Sequence, residues 1–258
     1  MRQSIPSTTN KKGESKIVVV TAYDACSAKL VDGIVDMILV GDSLGMVVQG
    51  NENTIPVTLD EMIYHTKMVV RGSEHSVIAV DLPFLTYQTS VTDAIYSSGR
   101  CLKEGGAQAV KLEGGFSVAP QIKGIVDAGI PVIGHLGLTP QSVHIFGGYG
   151  KQAKSEAEAN KLVEDALAIQ DAGVCMIVLE NIPHDLAEKV SKLLKIPTIG
   201  IGAGGGCDGQ VQVFHDLFGL YPDFMPRHAV RYAQCGSEIR EAVQKYRDDV
   251  RSGEFISK

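Results

Sequence analysis

Seven short runs rich in Val, Ile and Leu recur along the chain, and the segments between them carry helical spacing. The runs are KIVVVTAYD (16–24), MILVGDS (37–43), VIAVDLPF (77–84), AVKLEGG (109–115), PVIGHLG (131–137), CMIVLEN (175–181) and PTIGIGAG (197–204). Their apolarity is mostly continuous rather than alternating, the pattern of strands covered on both faces. Between them, SAKLVDG (27–33), TLDEMIYHTKMVVRGS (58–73), SVTDAIYSSGRCLKEGG (90–106), VAPQIKGIVDAG (118–129), SEAEANKLVEDALAIQDAG (155–173) and DLAEKVSKLL (185–194) read as helices. Several close on Gly, and Ser155 or Asp185 can open theirs as N-caps. Strand and helix therefore alternate, which calls for parallel strands joined by helical crossovers.

An eighth strand fits GQVQVFHDLFG (209–219), although Gln210, Gln212 and His215 dilute it. Eight strands close a (β/α)8 barrel, and 258 residues is an ordinary length for one. An open doubly wound sheet fits less well, because the first strand-to-helix turn lacks a G-x-G-x-x-G fingerprint. The expected organisation is a single α/β barrel domain over residues 1–258, with residues 1–15 as an extension.

Composition bounds the partners. Hydrophobic residues make up 44% and charged ones 21%, enough for one large core. The net charge of -6 comes without a basic block; Lys11–Lys12 and the lysines of 192–195 read as solvated surface, so no nucleic-acid partner is expected. The opening MRQSIPSTTNKKGESK has no apolar core of the kind an export signal carries, and no later run reaches the ~18 apolar residues of a spanning helix. Five scattered cysteines without a C-x-x-C pair suggest reduced thiols in a cytoplasm.

In AVKLEG, Val110 and Leu112 share one face of the strand while Lys111 and Glu113 share the other. Three other strand-like runs also finish on an acid: Asp81 after VIAV, Glu180 after MIVL and Asp42 after MILVG. In a barrel every strand ends at the same mouth, where the active site is built. Any one such acid can be a helix cap or a loop hydrogen-bonder, but four at matching positions converge. Converging carboxylates repel unless a cation lies among them, and oxygen donors without a His/Cys cluster point to a hard ion such as Mg²⁺. Lys111 then sits beside the metal to hold a substrate carboxylate or a developing oxyanion; the plainer reading is a salt bridge to a neighbouring acid.

Long stretches resemble the ketopantoate hydroxymethyltransferase family: GDSLGMVVQG (41–50), VTLDEMIYHTK (57–67), VDLPF (80–84), GGAQAVKLEGG (105–115), GIPVIGHLGLTPQSV (129–143), IPTIGIGAG (196–204) and CDGQVQVFHDLFGL (207–220). The likeness runs over roughly residues 16–235 in the family's order. It implies a (β/α)8 barrel of the phosphoenolpyruvate/pyruvate-related type. The implied reaction moves a hydroxymethyl group from 5,10-methylenetetrahydrofolate to 3-methyl-2-oxobutanoate in pantothenate synthesis, through a Mg²⁺-stabilised enolate. By the same resemblance Asp42, Asp81 and Glu113 hold one Mg²⁺ per subunit, Ser43 and Lys111 join Asp42 and Asp81 around the oxo acid, and Glu180 is the base. The family's members are typically cytoplasmic homodecamers.

The likeness departs at GGYGK, where Gly150 separates Tyr149 from Lys151, and folate contacts are not carried over there. GNENT (50–54) and IFGGYGKQAK (145–154) are the candidate loops to exclude water. His135 either lines the site or is a hydrogen-bonded structural histidine. GIGAGGG (200–206) reads as close backbone packing ahead of an anion cradle, since it lacks a nearby Lys or Arg. Three further readings stay open: a Schiff-base aldolase with Lys111 as nucleophile, a metal-dependent C–C or C–P lyase, and a binding protein without turnover.

Overall fold

The computed structural model describes residues 2–221, 225–226 and 229–257. Two compact units divide the chain, Met1–Val211 and Gln212–Lys258. Eight parallel strands, β1 (Ile17–Thr21), β2 (Met37–Val40), β3 (Val77–Asp81), β4 (Ala109–Glu113), β5 (Val132–Gly137), β6 (Met176–Glu180), β7 (Thr198–Ile201) and β8 (Gly209–Gln212), close a barrel in sequence order. The β1–β8 closure is made at the strand starts, where Ile17 N–H donates to the Asp208 carbonyl at 3.0 Å.

The two-faced reading of β4 holds in the barrel. Val110 and Leu112 are fully buried on the outer face, whereas Ala109 belongs to an interior cluster with Val19, Met37, Ala79, Ile133, Met176 and Val178. Strand parity therefore puts Lys111 and Glu113 inside the barrel above that apolar floor. The residues ahead of β1 return to the base: Gln3 N–H donates to the His75 carbonyl at 2.7 Å, and Ile5, in the short helix Ile5–Thr9, joins the interior cluster.

The helices follow their local signals. Thr58 with Glu61 and Ser155 with Glu158 form reciprocal capping boxes on helices Leu59–Arg71 and Glu156–Asp171. Asp185 does not cap its helix. That helix, His184–Leu193, starts after Pro183, so Asp185 lies inside the first turn, where its charge still favours the positive end of the helix. The eighth strand is shorter than GQVQVFHDLFG, since Phe214–Phe218 is helical.

The β7–β8 crossover has no helix. Residues 202–208 carry the chain back to the start of β8, and seven residues can span about 23–25 Å against roughly 13 Å for a four-residue strand. This segment holds the last five residues of GIGAGGG (200–206), and its packing explains Gly204: at φ +80°, a Cβ there would lie 2.6 Å from His184 Cγ. The glycine-rich run thus serves close packing against helix His184–Leu193. Among the described residues no helix is long and apolar enough to cross a membrane.

Candidate active site

All seven singled-out residues come together at the C-terminal mouth of the barrel or just inside it. Asp81, Glu113 and Glu180 are the last residues of β3, β4 and β6, and Asp42 and Ser43 follow β2. Register aligns Asp81 with Lys111 and Glu113 with His135 across adjacent strands. Lys111 Nζ lies 3.0 Å from Asp81 Oδ1 and 3.2 Å from His135 Nδ1. The imidazole is flanked in turn by Glu113 Oε1, 3.4 Å from Nδ1, and Glu180 Oε2, 3.2 Å from Nε2. Ser43 Oγ is 2.9 Å from the Tyr23 hydroxyl, which also accepts from Thr21 Oγ1 at 2.8 Å.

Burial makes the charges act strongly on one another. Burial raises the Asp42 carboxyl well above the usual range, and the charges of Asp81 and Glu113 add to that; Lys111 and a hydrogen bond from Gln141 oppose it. Burial works against the Lys111 ammonium, but Asp81, Glu113 and Asp42 outweigh it and hold the pKa above the ordinary lysine value. An amine held charged is a poor imine nucleophile. His135 is 3% exposed. Burial and Lys111 disfavour its imidazolium, yet contacts with Glu113 and Glu180 bring its pKa up to about 9.

Four carboxylates therefore face one ammonium and one imidazolium, an excess of two negative charges when all are ionised. Two of the carboxylate oxygens, Asp81 Oδ1 and Glu113 Oε1, are enclosed without a well-directed hydrogen bond despite their cationic neighbours. These features fit a divalent cation bound through oxygen. Among the described residues no three His, Cys, Asp or Glu groups form a ready-made metal cage, but Mg²⁺ keeps several waters and takes only one or two carboxylates in many enzyme sites.

Gln141 and Tyr87 complete the site, and sequence reasoning missed both. Gln141 is buried in the short 3₁₀ helix Pro140–Ser142 after β5; its side chain donates to Asp42 Oδ2 at 2.8 Å and its backbone N–H to Glu113 Oε2 at 3.0 Å. The Tyr87 hydroxyl lies 2.9 Å from Gln141 Oε1. The only signal available was a polar side chain in GLTPQSV, inside a stretch otherwise rich in small and apolar residues.

Glu180 is held differently from the other three acids. Its side chain is 14% exposed and, among the described residues, its carboxylate meets only the His135 ring, whereas Asp42, Asp81 and Glu113 each accept from an amide N–H. Asn181, just beyond Glu180, sits at φ +46° and ties down the 145–154 loop, with Nδ2 3.1 Å from the Tyr149 carbonyl and its own carbonyl 2.9 Å from Gln152 N. Tyr149 in turn points its hydroxyl at the Glu52 carbonyl, 3.5 Å away, so the two candidate loops meet.

Gly137, paired with Glu180, keeps β5 close to the end of β6. It has φ +92°, and a Cβ there would lie 2.3 Å from the Glu180 carbonyl oxygen. Gly137→Ala is expected to cost about 1–3 kcal/mol, read from urea unfolding. An unchanged midpoint would show that the strand end yields freely.

The chain matches the family model for ketopantoate hydroxymethyltransferase over residues 2–258. It is 56% identical over 246 residues to the 3-methyl-2-oxobutanoate hydroxymethyltransferase of Moorella thermoacetica, covering 95% of this chain and 91% of that one. The same enzyme of Clostridium botulinum is 54% identical, with 95% and 90% covered. Among solved structures, 2,3-dimethylmalate lyase, a PEP mutase/isocitrate lyase superfamily member, superposes with a TM-score of 0.66 at 18% identity, covering 96% of this chain and 89% of that one. Phosphonopyruvate hydrolase in complex with oxalate and Mg++ gives 0.62 at 13%, covering 97% and 88%. These structural likenesses show the shared barrel, while the sequence relatives match nearly end to end, and on that match the chain belongs to the ketopantoate hydroxymethyltransferase family of enzymes.

Proposed function

We propose that the chain transfers a hydroxymethyl group from 5,10-methylenetetrahydrofolate to C3 of 3-methyl-2-oxobutanoate, giving ketopantoate and tetrahydrofolate for pantothenate synthesis. The observation that carries this reading is Glu180, the one carboxylate of the four that no amide N–H caps among the described residues, at the same mouth as three amide-capped carboxylates and a buried ammonium. Asp42, Asp81 and Glu113 would hold Mg²⁺. When bound, the ion supplies positive charge for the carboxylate and keto oxygens of the oxo acid. Oxalate, named with Mg++ in the phosphonopyruvate hydrolase structure, presents adjacent oxygens in the same way.

The chain's own residues divide the remaining work. Lys111 supplies an ammonium for the negative oxygen of the oxo acid, and Ser43, braced by Tyr23, orients it. Glu180 removes the proton from C3, the deprotonated carbon forms a C–C bond to the one-carbon unit, the bonds of that carbon to the folate nitrogens break, and one water supplies the hydroxyl oxygen and the protons that leave with tetrahydrofolate. His135 sits between Glu113 and Glu180 and steadies both carboxylates. The 50–54 and 145–154 loops, joined through Tyr149, limit the access of bulk water beyond the one molecule the reaction consumes. The charged state of Lys111 weighs against the imine alternative.

Assembly into a cytoplasmic homo-oligomer, a decamer by resemblance, belongs to the same proposal. In the unit Gln212–Lys258, helix Cys235–Ser252 leaves Ile239, Val243, Tyr246 and Val250 exposed at helical spacing, which supports a further surface covering it.

Turnover tests the reading. Protein given both substrates and Mg²⁺ should form ketopantoate, detected by NMR, stop on addition of excess EDTA and resume when Mg²⁺ exceeds the chelator. Product formation indifferent to EDTA would remove the metal from the proposal. Absence of product with methylenetetrahydrofolate would remove the donor.

A further inference from the structure

Each of the three clustered carboxylates has one oxygen taken by a protein N–H. Asp81 Oδ2 accepts from the Asp42 backbone at 3.0 Å, Asp42 Oδ2 from Gln141 Nε2 at 2.8 Å, and Glu113 Oε2 from the Gln141 backbone at 3.0 Å. The opposite oxygens of Asp81 and Glu113 accept no well-directed hydrogen bond and face only the cationic side chains of Lys111, 3.0 Å from Asp81 Oδ1, and His135, 3.4 Å from Glu113 Oε1. Each carboxylate therefore offers one oxygen to a ligand, and Gln141 accounts for two of the three caps.

The Gln141 amide is locked in this sense. Nε2 has two acceptors, Asp42 Oδ2 and the Leu82 carbonyl at 2.9 Å, while Oε1 faces the Tyr87 hydroxyl at 2.9 Å and Gln88 Nε2 at 3.4 Å. Turned end for end, it would press an oxygen against a carboxylate and a carbonyl. For Asp42 to bind a cation through both oxygens, Oδ2 would have to divide its lone pairs between the cation and the Gln141 N–H, weakening the hydrogen bond on which that buried donor depends. Mg²⁺ and similar small ions take single oxygens in a near-octahedral shell, whereas Ca²⁺ takes six to eight oxygens and accepts bidentate carboxylates.

On the metal-site reading given above, we infer that Gln141 is a positioning residue that holds Asp42 to one-oxygen ligation and so favours small divalent cations over Ca²⁺. Tyr87 supports it by fixing the amide.

The test measures Mn²⁺ binding to the full chain by the EPR signal of free Mn²⁺, with Ca²⁺ as competitor, in wild type, Gln141→Met and Tyr87→Phe. Met has nearly the volume of Gln and no donor. Wild type should prefer Mn²⁺. In Gln141→Met the Mn²⁺ affinity should fall about tenfold or more, with Ca²⁺ affected less, so the Ca²⁺/Mn²⁺ Kd ratio shrinks. Tyr87→Phe should move the ratio the same way by a smaller factor, and it decides the matter if circular dichroism shows Gln141→Met unfolded. Equal losses for both cations, or an unmoved ratio, would overturn the inference and leave the metal site standing. A wild type that binds no Mn²⁺ would overturn the metal site, and the inference with it.

Discussion

Replacing Glu180 by Gln is expected to slow deuterium exchange at C3 of 3-methyl-2-oxobutanoate about 10²–10⁴-fold, the span that a positioned general base contributes. The exchange is followed by NMR in D₂O without folate, which isolates proton removal from one-carbon transfer. Gln has the shape of Glu and can keep the contact with His135 Nε2, 3.2 Å away in the wild type, so the variant removes the proton acceptor with little change of packing. Glu180 is proposed for this role because, among the described residues, no amide N–H holds its oxygens, unlike those of Asp42, Asp81 and Glu113. Exchange that persists in Glu180→Gln would move the base elsewhere. Exchange that is lost in the variant but survives chelation in the wild type would keep Glu180 and remove the cation.

Lys111→Met should produce the largest loss of stability among single changes at the mouth, about 3–5 kcal/mol in the presence of chelator. Lys111 is 5% exposed and lies 3.0 Å from Asp81, with the charges of Glu113 and Asp42 also acting on it. Removing one partner of a buried pair leaves the other uncompensated, whereas exchanging both partners for apolar groups need not destabilise. A divalent cation that binds the folded state stabilises it by mass action. Added Mg²⁺ should therefore raise the urea midpoint of Lys111→Met more than that of wild type, since the ion takes over part of the lost compensation. Equal shifts in the two proteins would show that ammonium and cation do not share the same carboxylates.

Much of this architecture can be read without coordinates. The apolar runs became eight parallel strands, and the acids that end them met because parallel strands finish at one mouth. The pairing in AVKLEG also survived, since alternation along a strand is a local property: Val110 and Leu112 face outward, Lys111 and Glu113 inward. His135 follows the same rule, two residues after the inward Ile133. What its parity did not reveal was that two acids and an ammonium would all touch one ring.

Loops account for most of what was not legible. Gln141 and Tyr87 come from separate segments after β5 and β3, and nothing periodic in either announces that their side chains meet. Asp185 carries a capping residue's chemistry, but Pro183 begins that helix earlier. The sequence by itself determined the barrel, the family and the acids at its strand ends, because periodicity, burial and residue type are written locally. Only the tertiary structure decided which carboxylate stays uncapped, which oxygens remain open and which amide holds them, because those depend on where distant loop N–H groups come to rest.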